Sequence, residues 1–187
     1  IFFRTARFTQ LAGGHFWLSE SPEIPASKSW DSSLPRMVSW VLLNDHQNES
    51  GRPILLVNTH FDHRGKVARL ESARLIRQRI STLQTIAGNP HVIVTGDFNT
   101  AEASAPYEAL VSENPQLVDT YRQMHPDRQQ DEGTFGGWRG VTSGGRIDWI
   151  LADPDCKVIS ATIENTPTAD GRYASDHYAV TALLETH

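Results

Sequence analysis

The chain has 187 residues, of which 39% are hydrophobic and 21% charged, with a formal net charge of −5. That is enough chain for one domain with a real core and too little for two, and the balance excludes a disordered polymer. The acidic surplus argues against a protein that grips long nucleic acid mainly by charge, while a basic rim around a local site stays compatible with it.

Cys156 is the single cysteine, so no internal disulfide forms and the compartment is left open. No apolar run approaches a membrane span. Ile1-Phe2-Phe3-Arg4 has the pattern of a strand interior, without an initiator Met or a charged leader. A natural N-terminal portion is therefore expected to be missing. Two β segments are expected over residues 1–18, around a turn at Gly13-Gly14. A long proline-bearing loop follows from Ser19 to Leu34, then a strand over Arg36–Leu43 and a polar connection over 44–52. Ile54–Asn58 is a continuous apolar run, as in a strand buried on both faces.

Val67, Leu70, Ala73, Ile76, Ile80, Leu83 and Ala87 recur at spacings of three and four, which predicts a helix over Lys66–Ile86. Its arginines, Arg69, Arg74, Arg77 and Arg79, are expected on the solvated face, and Gly88-Asn89-Pro90 ends it. His91–Thr95 is a second buried strand running into Gly96-Asp97. Ser104 is placed to cap a short helix through Leu110, with Pro106 in its first turn. Residues 112–145 lack apolar periodicity and carry six glycines between 133 and 145, so a loop bordering the site is expected. Strands return over Ile147–Leu151, Lys157–Glu164 and Tyr178–Leu184. No internal repeat interrupts this order, which fits two packed sheets covered by helices.

Four short motifs carry the chemistry. Asp97 and Asn99 follow a buried strand two positions apart, so a persisting extended backbone points both side chains the same way. A carboxylate beside a carboxamide suits a hard divalent cation or a water and phosphate bound to it, although Gly-Asp and Asn are also favoured turn residues. His60 ends the other buried strand, where ligands of open α/β sheets collect, and Asp62 and His63 follow with Phe61 between them as a core residue. Asp148 lies inside an apolar run, a costly place for a charge unless it is paired. His177 is its natural partner, since a buried carboxylate fixes an imidazole's tautomer. Asp176 would then face the other way, toward a cation or a water. Arg36, Arg64 and Lys66 are candidate phosphate contacts. Trp30 and Trp138 are expected to pack under loops, with stacking on a base as the alternative.

Taken together, Asn58-Thr59-His60, Gly96-Asp97-Phe98-Asn99, Arg146-Ile147-Asp148 and Ser175-Asp176-His177 resemble the endonuclease/exonuclease/phosphatase superfamily. That superfamily includes DNase-like nucleases, apurinic endonucleases, sphingomyelinases, inositol polyphosphate phosphatases and deadenylases. The segments Phe16–Glu20, Ser29-Trp30-Asp31 and Asn58–Arg69 look like one mostly uncharacterised branch of it, and the resemblance runs from Ile1 to about Leu184. It implies a DNase-I-like α/β sandwich of four layers, with two mostly antiparallel sheets flanked by helices, in a single domain over residues 1–187. It also implies catalytic roles for His60, Asp97, Asn99, Asp148 and His177, metal ligation by Asp97 and Asp176, and phosphate contacts from His60, Asn99 and Arg36. Asn58 would support a strand end. The superfamily's chief metal-ligating Glu and an accompanying Asn precede the region matching Ile1, so this chain lacks both. Glu20 and Glu23 do not replace them.

The expected activity is Mg²⁺- or Mn²⁺-dependent hydrolysis of a phosphodiester or phosphomonoester by in-line water. The substrate would be a small phosphoester, a sugar phosphate, or a nucleotide or short oligonucleotide, and no protein partner is evident. A phosphate-binding module on the same scaffold is the competing reading.

Overall fold

The computed structural model describes residues 1–48, 50–112 and 116–186. Residue 49 of the expected 44–52 connection and residues 113–115 of the expected 112–145 loop lie outside them.

The strands are β1 (Phe8–Trp17), β2 (Met37–Asp45), β3 (Ile54–His60), β4 (His91–Asp97), β5 (Val118–Asp119), β6 (Asp148–Ala152), β7 (Lys157–Glu164) and β8 (Ala179–Glu185). One sheet runs β1-β2-β3-β4-β6-β5, and β7 pairs with β8 in a second. Only the β3–β4 pair is parallel among the described pairings. A parallel pair needs a long crossover, and α1 (Lys66–Ile86) provides it between β3 and β4. The shorter α2 (Ala105–Val111) packs beside α1, and α3 (Thr120–Met124) sits against β6 and β7. No described helix is long and apolar enough to cross a membrane. Two mostly antiparallel sheets flanked by helices are thus present, as the motif order implied.

β3 and β4 bury Leu55, Val57, Val92 and Val94 almost completely, which their continuous apolar runs required. α1 meets this core with Ala68, Ser72, Ala73, Ile76 and Ile80. Most of the expected stripe packs into the core, Ala73, Ile76 and Ile80 fully and Leu70 and Leu83 in part, while Val67 is 52% exposed and Ala68 and Ser72 are buried in its place. Arg77, expected in solvent, is buried on that face.

Three further expectations are corrected. Gly13-Gly14 makes no turn. β1 runs straight through, with Gly14 opposite Trp40, and a Cβ at Gly14 would stand 3.2–3.3 Å from the Trp40 indole. The missing side chain gives that ring its place. Residues 1–4 form no strand; Arg7 and Phe8 instead bond back to the Arg4 carbonyl, and the Arg7 guanidinium anchors on Asp45. Within 112–145, β5 and α3 replace part of the loop. The Asp119 side chain caps α3 by accepting from the Tyr121 and Arg122 amides.

At α1 the N-cap position is Gly65, which has no side chain to cap with. Two aspartates serve instead, one of them distant in sequence. Asp31 accepts from Val67 and Ala68 amides at 3.2 and 2.7 Å. Asp62 is buried and accepts from the amides of Ser33, Leu34, Arg64 and Gly65 and from the Ser33 hydroxyl. Burial raises its pKa, but these donors outweigh it and hold the carboxyl well below the usual range. Similarly, Ser104 holds the N-cap position of α2, yet its buried hydroxyl makes no hydrogen bond among the described residues.

Because the folded-state pKa of Asp62 is depressed, its contribution is present above the unfolded value of about 3.9 and fades as pH falls through the folded one. Asp62→Asn is expected to cost roughly 2 kcal/mol or more at pH 7, with the gap to wild type narrowing below about pH 4; urea unfolding across pH checks this. A Cβ at Gly96 would collide with the Thr59 carbonyl oxygen across β3–β4. Gly96→Ala is therefore expected to destabilise by about 1–3 kcal/mol, read as a lower thermal midpoint.

Candidate active site

His60, Asp97 and Asp148 are register partners on three neighbouring strands, β3, β4 and β6. In-register neighbours project to the same side of a sheet, so one imidazole and two carboxylates stand in a row at its edge. Each is followed by an aromatic that strand alternation turns inward: Phe61, Phe98 and Trp149 are all 0% exposed. Phe61 meets Phe98 edge-on at 5.0 Å, and Phe98 stacks on Trp149 at 4.4 Å. The polar row is thus seated on a rigid apolar floor.

His177 comes from the turn before β8 and closes the group from the second sheet. Its Nδ1 lies 2.9 Å from Asp148 Oδ2 and its Nε2 lies 3.8 Å from Asp97 Oδ2. His60 Nε2 reaches the same Asp97 oxygen at 3.3 Å. One oxygen each of Asp97 and Asp148 and one ring nitrogen of His177 fall within 4.8 Å of one another.

The imidazoles are tuned apart. Burial opposes charge on His177, but the hydrogen bond and charge of Asp148 outweigh it and raise its pKa. Burial, reinforced by the Arg36 charge, lowers that of His60. Burial also raises Asp148 against the bonds from Thr134 and His177, so the Asp148–His177 pair holds its proton firmly.

Asn99 departs from the extended geometry assumed for it. β4 ends at Asp97, and Asn99 adopts φ +50°. Its amide donates to the Phe61 carbonyl at 3.0 Å, and its backbone N–H donates to Asp97 Oδ1. The residue still borders Asp97. Asp176 lies outside the three-donor group: its carbonyl accepts from Gly136 and Gly137 amides, and Ser175 donates to its carboxylate. Arg36 approaches His63 Nδ1 at 3.5 Å, and its buried Nε has no hydrogen-bond partner among the described residues. Arg64 and Lys66 are exposed. Asn58 donates to Thr95 across β3–β4, the supporting role expected of it. Trp138 is 61% exposed and does not pack under a loop, whereas Trp30 lines a groove against α1. That groove, about 560 Å³, is lined by none of the four motifs; an open cleft of about 430 Å³ is lined by His60, Asp97, Asp148 and Tyr178.

Sequence reasoning missed Thr134, whose hydroxyl accepts from the Ile147 and Asp148 amides. It also missed Phe135, whose ring meets His177 edge-on at 5.1 Å. A Thr-Phe pair in a glycine-rich stretch carries no signal of either contact.

The Endonuclease/Exonuclease/phosphatase family matches residues 5–177. No curated protein matches the sequence. Among solved structures, a mannosyl-6-phosphatase of Bacteroides thetaiotaomicron VPI-5482 is 33% identical with a TM-score of 0.84, over 98% of this chain and 69% of that one. An endonuclease/exonuclease/phosphatase from Bacteroides vulgatus is 30% identical with a TM-score of 0.83, over 99% and 69%. The human Nocturnin catalytic domain, 21% identical over 98% and 62%, shares the fold with a TM-score of 0.74. With the family match running through nearly all of it and all four motifs inside that match, the chain belongs to the endonuclease/exonuclease/phosphatase family, phosphoester hydrolases of DNase-I-like fold.

Proposed function

We propose that the chain carries the catalytic groups of a divalent-cation-dependent hydrolase of small phosphate esters, with water as nucleophile. The observation that carries the reading is the orientation of His177. Its Nδ1 is held by Asp148 at 2.9 Å, and its Nε2 lies 3.8 Å from Asp97 Oδ2. Asp148 fixes the tautomer, which leaves Nε2 to take or return a proton at the reacting oxygen. Asp97 orients the attacking water. The lowered pKa of His60 keeps its ring neutral, suited to hydrogen bonding with a phosphate oxygen.

The guanidinium of Arg36, and the Asn99 amide hydrogen that makes only a long 3.4 Å contact with Asp97 Oδ2, are assigned to the other phosphate oxygens. Two carboxylate oxygens and a ring nitrogen within 4.8 Å fit a small hard cation in part. Asp97 would hold it, since Asp148 Oδ2 is committed to His177, and Asp176 is assigned as a further carboxylate on the His177 side. A bound Mg²⁺ or Mn²⁺ would supply positive charge against the phosphate and leaving oxygens.

The acidic balance and the likeness to a mannosyl-6-phosphatase favour a phosphorylated sugar as substrate over long duplex nucleic acid. No observation favours the binding-module alternative. With Mg²⁺ present, the full-length protein is expected to turn over p-nitrophenyl phosphate or its bis ester. His177→Ala and Asp97→Ala are each expected to lower kcat by about 10²–10⁴-fold. Undiminished turnover in both variants would defeat the assignment.

A further inference from the structure

We propose that Thr134 is a positioning residue for the Asp148–His177 pair, holding both partners from one buried side chain and its own carbonyl. Thr134 is 0% exposed and lies between α3 and β6, outside any helix or strand. Its Oγ accepts from the Ile147 amide at 2.9 Å and from the Asp148 amide at 3.1 Å. A hydroxyl has two lone pairs and one hydrogen. Both lone pairs are taken by these two amides. On its other side, the Thr134 carbonyl accepts from the Tyr178 amide at 2.8 Å. Phe135 then bridges to His177 as an isolated antiparallel pair, and the Gly136 and Gly137 amides donate to the Asp176 carbonyl.

This juxtaposition matters because the two partners are carried by segments that lead into different sheets. Asp148 opens β6 of the large sheet, and His177 precedes β8 of the small one. Sliding between the sheets would change a 2.9 Å bond that catalysis requires to be constant. Thr134 is hydrogen-bonded to the Asp148 backbone and to the residue after His177, so it sets their separation directly. Partners that orient a working group in this way typically change rates rather than binding.

The test compares the full-length wild type with its Thr134→Val and Thr134→Ser variants, with Mg²⁺ and p-nitrophenyl phosphate and with folding checked by circular dichroism. Valine keeps the volume and removes the hydroxyl. Thr134→Val is expected to lower kcat by about 10–100-fold with KM little changed, while Thr134→Ser restores kcat to within about threefold. In an Asp148→Asn background, Thr134→Val is expected to cost nothing further. An unchanged kcat in Thr134→Val, or a full additional loss in the Asp148→Asn background, would overturn the proposal. Should Thr134→Val not fold, Thr134→Cys, a weak donor of similar size, is judged by the same criteria.

The catalytic readout rests on the hydrolase reading; a spectroscopic one does not. The His177 Nδ1–H proton resonance, assigned by its loss in His177→Gln, is expected in wild type and Thr134→Ser and shifted or lost in Thr134→Val. A wild type without turnover would sink the hydrolase reading alone, because an identical resonance in wild type and Thr134→Val would still refute the role of Thr134.

Discussion

Strand alternation, which puts every second side chain on the opposite face of a sheet, is the constraint on which this site depends. At His60-Phe61, Asp97-Phe98 and Asp148-Trp149, it sends a polar group outward and the following ring into the core. Burying each ring is worth about 2–3 kcal/mol, and the edge-on and stacked contacts add roughly 0.5–1.5 kcal/mol per pair. Apolar packing therefore fixes where the imidazole and carboxylates stand, and it does so without using their charges. Two carboxylates side by side would otherwise repel; here an imidazole from the second sheet bridges them.

Charges elsewhere in the molecule are treated differently. Asp62 is saturated with donors and serves as a joint between the 31–34 loop and the start of α1. In Arg146-Ile147-Asp148 the two charged residues part company. Arg146 is 2% exposed, pairs with Asp119 and Glu102, and lies under the Tyr121 ring at 4.7 Å. Through Arg122 the network extends to Glu132. A buried network of this kind is costly to break, since removing one partner strands another's charge. It anchors the chain just before Asp148, whereas Asp148 itself keeps access to the cleft.

Much of this architecture was legible before any coordinates. α1 begins and ends where its apolar spacing and Gly88-Asn89-Pro90 put it, and β3 and β4 occupy the two unbroken apolar runs. Local rules failed where a distant partner overrode them. Gly14 lies within a strand because Trp40 needs its empty face. Asp31 caps a helix more than thirty residues away, and α3 is too short to show periodicity, though Asp119 is a proper cap. Asn99 turned out of the strand because β4 stops at Asp97, and nothing in Gly-Asp-Phe-Asn says where pairing ends.

The sequence by itself determined which stretches are sheet or helix and marked residues whose side-chain types suit phosphoester chemistry, because side-chain type and apolar period are local properties. It also determined that His60 and Asp97 each stand at the end of a buried strand, and that Asp148 lies inside an apolar run. Only the tertiary structure decided that these strand ends align in one register, that His177 arrives from the other sheet to complete the group, and that Thr134 joins the two. Those outcomes depend on pairing between segments far apart in the chain, and hydrogen-bond register leaves no periodic mark on either segment alone.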